Sequence, residues 1–267
     1  MSDAALAELR SLSWQAGRVD ALVIGHDHVA GIEHLGEELA GRGYELTWWQ
    51  AVPEQRFCDP DVAVAFPAAA GWDLVVTLGA PWPRDQIAGW AGREVEFLAD
   101  VRAAGSAVVG ICFGAQLLAE SLGAPAVALP APRIGWRSVT PRAPGVAAGP
   151  WFQWHADQLT APVGAEVLAE SVDGVEVFRV RRCVGVQFHP EMTPRLLERW
   201  LSLPGGPPRG LDLSRHCTPT RRGTLPRLRG PRANCSTSSI RQRTDDMETF
   251  LSSGHGEAAS DGVRRGW

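Results

Sequence analysis

A cysteine lies between two glycines in the segment Gly110-Ile111-Cys112-Phe113-Gly114, where an apolar run typical of a strand gives way to a helical pattern. Glycines at this spacing permit the sharp strand-to-helix turn called a nucleophile elbow, here with cysteine in place of serine. The helix N-terminus favours a thiolate, and the N–H of Phe113 is placed to hold an oxyanion. The motif predicts a cysteine nucleophile, although a lone cysteine in an apolar segment is more often an inert part of the core.

A thiolate nucleophile needs a base, and the base needs a group that orients it. The segment VGVQFHPEM contains both types of group, since His189 follows an apolar strand and Glu191 comes two residues later, with Pro190 fixing the turn. Glu191 can accept a hydrogen bond from one ring nitrogen of His189 and so hold its tautomer. Cys112, His189 and Glu191 could therefore form a catalytic triad, although a histidine near a glutamate is usually just a surface pair, and no metal or organic cofactor is implied.

Strands and helices alternate along the first half of the chain. Short apolar runs predict strands at Val19–Gly25, Tyr44–Ala51, Asp73–Leu78 and Ala107–Ile111. Helical patterns are predicted at residues 29–42, Val95–Ala104 and Ala115–Leu122. This alternation indicates an α/β fold with a doubly wound, mostly parallel central sheet and helices on both faces. Such sheets place their sites at the carboxyl ends of the strands, where Gly25, Gly79 and Cys112 stand.

The second half of the chain has a different character. Short runs separated by turn signals predict a small antiparallel addition to the sheet. A closing helix is predicted at Pro194–Leu203, with Thr193 as its N-cap. We therefore expect one domain over residues 1–203. Residues 204–267 are rich in Arg, Pro, Gly and Ser, with eleven Arg against six acidic residues. We expect this segment to be mostly disordered. The alternatives are a basic interaction arm and an out-of-frame translation product.

The composition excludes several classes of protein. The chain has 267 residues, 45% of them hydrophobic, and a net charge of -4, which offers no general attraction for nucleic acid or anionic membranes. The first residues carry acidic side chains and no apolar core, so a signal peptide is not expected, and no apolar stretch is long enough to span a membrane. Five cysteines without CxxC spacing indicate neither a zinc site nor a disulfide framework. A cytoplasmic location is therefore predicted.

The motifs GICFGAQ and FHPE together resemble the class I, triad-type glutamine amidotransferases, and more narrowly the group similar to the amidotransferase domain of GMP synthase. The resemblance covers roughly Val19 to Leu203 and implies a flavodoxin-like fold. It also implies that Cys112 attacks the side-chain amide carbon of glutamine or of a γ-glutamyl compound. His189 would pass the thiol proton to the leaving ammonia, Glu191 would orient His189, and water would release glutamate from the thioester.

The resemblance assigns further residues to the binding of substrate. The oxyanion would be held by the N–H of Phe113 and by one from the turn Gly79-Ala80-Pro81, where many members of the family have Gly-Gly-Pro or Gly-Ser-Pro. Gln116 matches the residue that helps to hold glutamine, with local packing in the helix as the alternative.

The segment Gln153-Trp154-His155-Ala156-Asp157 matches a third stretch of the family, and its first three residues are expected to line the same pocket. Trp154 could equally be a core residue. His155 lacks the following Pro-Glu of the predicted base. The segment His26-Asp27-His28 resembles a metal cluster, but its spacing favours a polar loop near the pocket mouth.

The sequence leaves the recipient of the ammonia open. It contains no GxxxxGK[ST] phosphate loop that would mark a synthetase domain. The chain could be a glutaminase subunit that docks on a separate ammonia-accepting synthetase. It could instead be a stand-alone γ-glutamyl hydrolase or peptidase, or a non-catalytic binding or regulatory module.

Overall fold

An eight-stranded sheet forms the centre of the protein in a computed structural model that describes residues 19–203. The predicted tail at residues 204–267 lies outside the described residues. The strands are β1 (Val19–Gly25), β2 (Tyr44–Gln50), β3 (Leu74–Thr77), β4 (Ala107–Ile111), β5 (Val127–Arg137), β6 (Thr140–Pro141), β7 (Trp151–Gln158), β8 (Glu166–Ser171), β9 (Gly174–Val180) and β10 (Cys183–Val186). The helices are α1 (Glu33–Gly41), α2 (Ala88–Ala103), α3 (Phe113–Glu120) and α4 (Pro194–Leu201).

The sheet has the order β2-β1-β3-β4-β10-β9-β8-β6. The first five strands in this order, β2, β1, β3, β4 and β10, run parallel to one another. Strands β9, β8 and β6 continue the sheet with antiparallel pairing. A separate antiparallel pair consists of β5 and β7. The predicted fold class is thus confirmed, including the small antiparallel addition.

The side chains of β1 alternate between two layers, as the pleat of a strand requires. Leu22 and Ile24 pack in the same apolar cluster as the buried faces of α2 and α3. Ala21 and Val23 pack in a second cluster with Leu35 and Leu39 of α1. The sheet is therefore covered by helices on both faces, and its central strands are apolar along their whole length, as expected for a buried parallel sheet.

Helix α2 differs most from its predicted bounds. Helix α2 begins at Ala88 instead of Val95 because Trp90 and Ala91 are fully buried in the core, which outweighs the weak helix propensity of the glycines in its first turns. Strand β5 continues through two prolines, because it pairs on one side with β7 and has a register break between Ala128 and Arg133.

Helix α4 closes the described part of the chain. Its N-cap is Thr193, whose Oγ1 accepts a hydrogen bond from the N–H of Leu196 at 3.1 Å, as predicted. It ends at Leu201, slightly before its predicted end. Within residues 19–203, no helix combines the length and the apolar character needed to cross a bilayer.

We expect Leu22→Ala to destabilise the fold by about 2–5 kcal/mol, because it removes a fully buried side chain between β1 and the helices α2 and α3. Val172→Ala is the matched control, since Val172 is fully exposed and its truncation should change stability by less than about 0.5 kcal/mol. Chemical denaturation of both variants measures the difference. Equal loss of stability in the two variants would contradict this account of the core.

Candidate active site

Cys112 lies in the turn between β4 and α3, where it is the N-cap residue of the helix. Its backbone has φ +52° and ψ -110°, a conformation that residues with a side chain rarely adopt. The N–H of Cys112 donates to the carbonyl of Val186 at 2.7 Å, and the N–H of Gly114 donates to the carbonyl of Leu78 at 2.9 Å. Neighbouring strands thus hold the strained turn in place, with the thiol at the N-terminus of α3.

The two glycines beside Cys112 allow a very close approach of neighbouring backbone. A Cβ on Gly110 would lie 2.7 Å from the backbone nitrogen of Ala115. A Cβ on Gly114 would lie 2.3 Å from the carbonyl oxygen of Thr77. Neither neighbour is a side chain that can rotate away, so the elbow requires glycine at both positions.

His189 and Glu191 form a buried pair opposite the elbow. His189 Nδ1 lies 2.8 Å from Glu191 Oε1, and both side chains are 2% exposed. The N–H of His189 donates to the carbonyl of Phe152 at 2.9 Å, which ties the loop after β10 to β7. Because the carboxylate accepts from Nδ1–H, the second ring nitrogen, Nε2, is not used by this pair.

The charge of this pair is set by its surroundings. Burial lowers the pKa of His189. The charges of Glu191 and Cys112 and the hydrogen bonds of the ring have the opposite effect, which is larger, so the pKa is raised to about 10. His189 is therefore an imidazolium at neutral pH.

Two polar groups surround the Cys112 sulfur. It lies 3.8 Å from the carbonyl oxygen of Trp154 and 3.9 Å from Nε2 of Gln187. Gln187 is fully buried, and its Oε1 accepts from the N–H of Leu159 at 2.8 Å. Its amide N–H is consequently directed towards the sulfur. We did not predict this residue, which follows β10 directly and precedes His189 by two positions.

The predicted oxyanion turn faces the same space. A Cβ on Gly79 would lie 3.1 Å from His189 Cε1 and 3.7 Å from Cys112 Cβ, so the turn packs directly on both groups. Among residues 19–203, the backbone N–H groups of Ala80 and Phe113 have no protein acceptor. Both residues line a cavity next to Cys112.

The cavity has a volume of about 1120 Å³. The predicted site residues along its wall are Gly79, Ala80, Cys112, Phe113, Gln116, Trp154, His155 and His189. Gln116 Nε2 donates to the carbonyl of Asp157 at 2.8 Å, which joins α3 to the end of β7. Arg84 and Glu120, which the sequence did not single out, form an ion pair of 3.1 Å on the same wall.

Gln153 does not line the cavity. Its side chain is buried behind β7, where Oε1 lies 2.7 Å from His155 Nε2 and Nε2 donates to Glu176 at 3.0 Å. Burial lowers the pKa of His155 to about 4, so this ring is neutral at neutral pH. His155 therefore lies in the cavity wall without the charge that His189 carries.

Comparisons with known proteins agree with this geometry. The sequence model of the glutamine amidotransferase class-I family matches residues 40–201. A curated relative, GMP synthase [glutamine-hydrolyzing] of Aeropyrum pernix, is 34% identical over 159 residues, which are 54% of this chain but only 29% of that protein.

Two solved structures share the fold. A glutamine amido transferase from Methylobacillus flagellatus superposes with a TM-score of 0.66 at 19% identity, over 93% of this chain and 99% of that one. A glutamine amidotransferase from Thermotoga maritima superposes with a TM-score of 0.58 at 22% identity, over 69% of this chain and 81% of that one. With the family match covering more than half of its residues, the chain belongs to the class-I glutamine amidotransferase family.

Proposed function

We propose that this protein hydrolyses the side-chain amide of glutamine through a thioester on Cys112, releasing glutamate and ammonia. The observation that carries the proposal is the buried His189–Glu191 pair, 2.8 Å apart, beside a cysteine on a strained elbow in a cavity wall. An imidazolium and a thiolate side by side are suited to attack on an amide.

In the first step the Cys112 thiolate forms a bond to the amide carbon, and the carbonyl electrons move to oxygen. The N–H groups of Phe113 and Ala80 donate to this oxyanion, where two fixed backbone dipoles stabilise the charge as it develops. The Nε2–H of His189 gives its proton to the amide nitrogen. The carbon–nitrogen bond then breaks, ammonia leaves, and a γ-glutamyl thioester remains.

In the second step neutral His189 takes a proton from water as the water oxygen attacks the thioester carbon. The same two N–H groups hold the second oxyanion. The carbon–sulfur bond breaks, which returns the thiolate of Cys112 and the imidazolium of His189. The carboxyl group of glutamate loses its proton to solvent.

We further propose that the amidotransferase domain spans residues 1–203 and delivers its ammonia to a separate synthetase. The support for this proposal is that the matched curated relative is a GMP synthase named as glutamine-hydrolyzing. An intact set of Cys112, His189 and Glu191 argues against a purely regulatory module.

The size of the cavity favours a second candidate function. Its volume of about 1120 Å³ is at the upper end of the range for small-molecule sites, and glutamine fills only part of such a space. A stand-alone hydrolase or peptidase for larger γ-glutamyl compounds would use the same acyl-enzyme chemistry. Comparing kcat/KM for glutamine with values for γ-glutamyl amides of larger amines distinguishes the two functions.

We expect Cys112→Ala to abolish ammonia release from glutamine, because no other side chain in the site can form the thioester. Cys58→Ala is the matched control, since Cys58 is exposed and does not line the cavity, and it should retain wild-type turnover. A coupled glutamate dehydrogenase assay measures the released ammonia. Wild-type turnover in Cys112→Ala would end the proposal of a cysteine nucleophile.

The pH profile tests the role of Glu191. Since the pKa of His189 is raised to about 10, kcat/KM should fall only as the pH rises through about 10, where the proton donor is lost. Glu191→Gln removes a charge that raises this pKa, so the alkaline limb should move to lower pH. Glu198→Gln, at an exposed position of α4, is the control and should leave the limb in place. An unshifted limb in Glu191→Gln would show that Glu191 does not tune His189.

A further inference from the structure

A second buried histidine–glutamate pair lies behind the oxyanion turn. His26 follows β1 directly, and Glu94 lies in the middle of α2, yet His26 Nε2 is 2.8 Å from Glu94 Oε2 and both side chains are fully buried. The hydroxyl of Thr77 donates to the other carboxylate oxygen at 2.5 Å. His26 is thus not part of the polar loop that the sequence predicted at the pocket mouth. It belongs to a network that joins β1, β3 and α2.

The same ring makes a contact with the predicted oxyanion turn. His26 Nδ1 lies 2.9 Å from the carbonyl oxygen of Gly79. A carbonyl oxygen accepts hydrogen bonds and donates none, so Nδ1 of His26 carries hydrogen and donates to Gly79. Burial lowers the pKa of His26, but the charge of Glu94 and the hydrogen bonds to Glu94 and Gly79 outweigh burial and raise it.

The hydrogen bond to Gly79 fixes the next peptide group. The Gly79–Ala80 bond is trans, so its carbonyl and the N–H of Ala80 point in opposite directions. With the carbonyl directed at buried His26, the N–H of Ala80 points away from the network, towards the side where the turn lines the cavity next to Cys112. Gly79 by itself would allow this peptide group to rotate.

We propose that His26 and Glu94 are positioning residues, which hold the Gly79–Ala80 peptide so that the N–H of Ala80 can donate to the oxyanion at Cys112. The inference rests on the proposed amide hydrolysis. A contribution to folding alone explains the network less well. A buried ion pair gives little net stability compared with apolar packing. In addition, one N–H of the His26 ring donates to the turn beside the nucleophile and not to Glu94.

Two substitutions of His26 separate positioning from stability. His26→Asn places an amide N–H close to the position of Nδ1 and can still donate to Gly79, whereas His26→Leu has a similar shape and no donor. Both variants lose the contact with Glu94, so both should lose stability to a similar extent. We expect kcat for glutamine to fall by about 10²–10³ in His26→Leu, the usual effect of losing one oxyanion donor, with KM little changed. His26→Asn should recover most of this loss.

Alkylation of Cys112 by iodoacetamide provides the first control, because this reaction needs the thiolate and forms no oxyanion. Its rate per folded molecule should be the same in wild type, His26→Asn and His26→Leu. Val101→Ala is the second control, since it opens a cavity at a fully buried position of the same helix as Glu94. It should lower stability without lowering kcat.

A readout without substrate keeps this test separate from the proposed function. The Ala80 amide resonance in a ¹⁵N–¹H spectrum should move strongly in His26→Leu and little in His26→Asn. If wild type releases no ammonia, the hydrolysis proposal fails while this spectrum still decides whether His26 sets the turn.

Thr77→Val, which removes only the donor to Glu94, gives a milder variant and should also lower kcat.

The inference would be overturned by equal kcat values in His26→Asn and His26→Leu. It would also be overturned by an Ala80 resonance that His26→Leu leaves in its wild-type position.

Discussion

The strained backbone of Cys112 is the constraint on which the site depends. A residue with a side chain holds φ at +52° only because both flanks of the turn are fastened, by hydrogen bonds to Val186 and Leu78. That fastening needs β3 and β10 on either side of β4, and it needs glycines where the backbone of the turn passes other backbone. The order of the central strands is thus the order that the elbow requires. The strained conformation of Cys112 places its sulfur at the helix N-terminus and in the cavity wall.

Two buried histidine–glutamate pairs flank the turn at Gly79. His189 and Glu191 lie on the cavity side, where the ring leaves no room for a Cβ on Gly79. His26 stands on the core side and donates to its carbonyl. Charges in a protein interior are costly unless each finds a partner, and both pairs meet that condition at 2.8 Å. In the proposed mechanism, a proton at His189 moves during the reaction and a proton at His26 holds the turn.

Local sequence patterns predicted the parts of the structure that depend on neighbours in the chain. The strands β1, β3 and β4 are apolar runs because both faces of the sheet are buried there. His189 and Glu191 lie two positions apart, so their pairing depends only on the local sequence. Contacts between distant residues could not be predicted in this way. Glu94 contacts His26 although the two residues are 68 positions apart in the chain. The burial of Trp90 explains why α2 begins earlier than its local sequence predicts. Gln153 was expected in the pocket, but the pairing of β7 directs its side chain to Glu176.

The most direct test of the central claim is to trap the acyl-enzyme. Acid quenching of the protein during turnover of glutamine, followed by peptide mass spectrometry, should find one γ-glutamyl group on the peptide that contains Cys112. The adduct should disappear once glutamine is exhausted. Ammonia release with no adduct at any quench time, or with the adduct on another cysteine, would contradict the account.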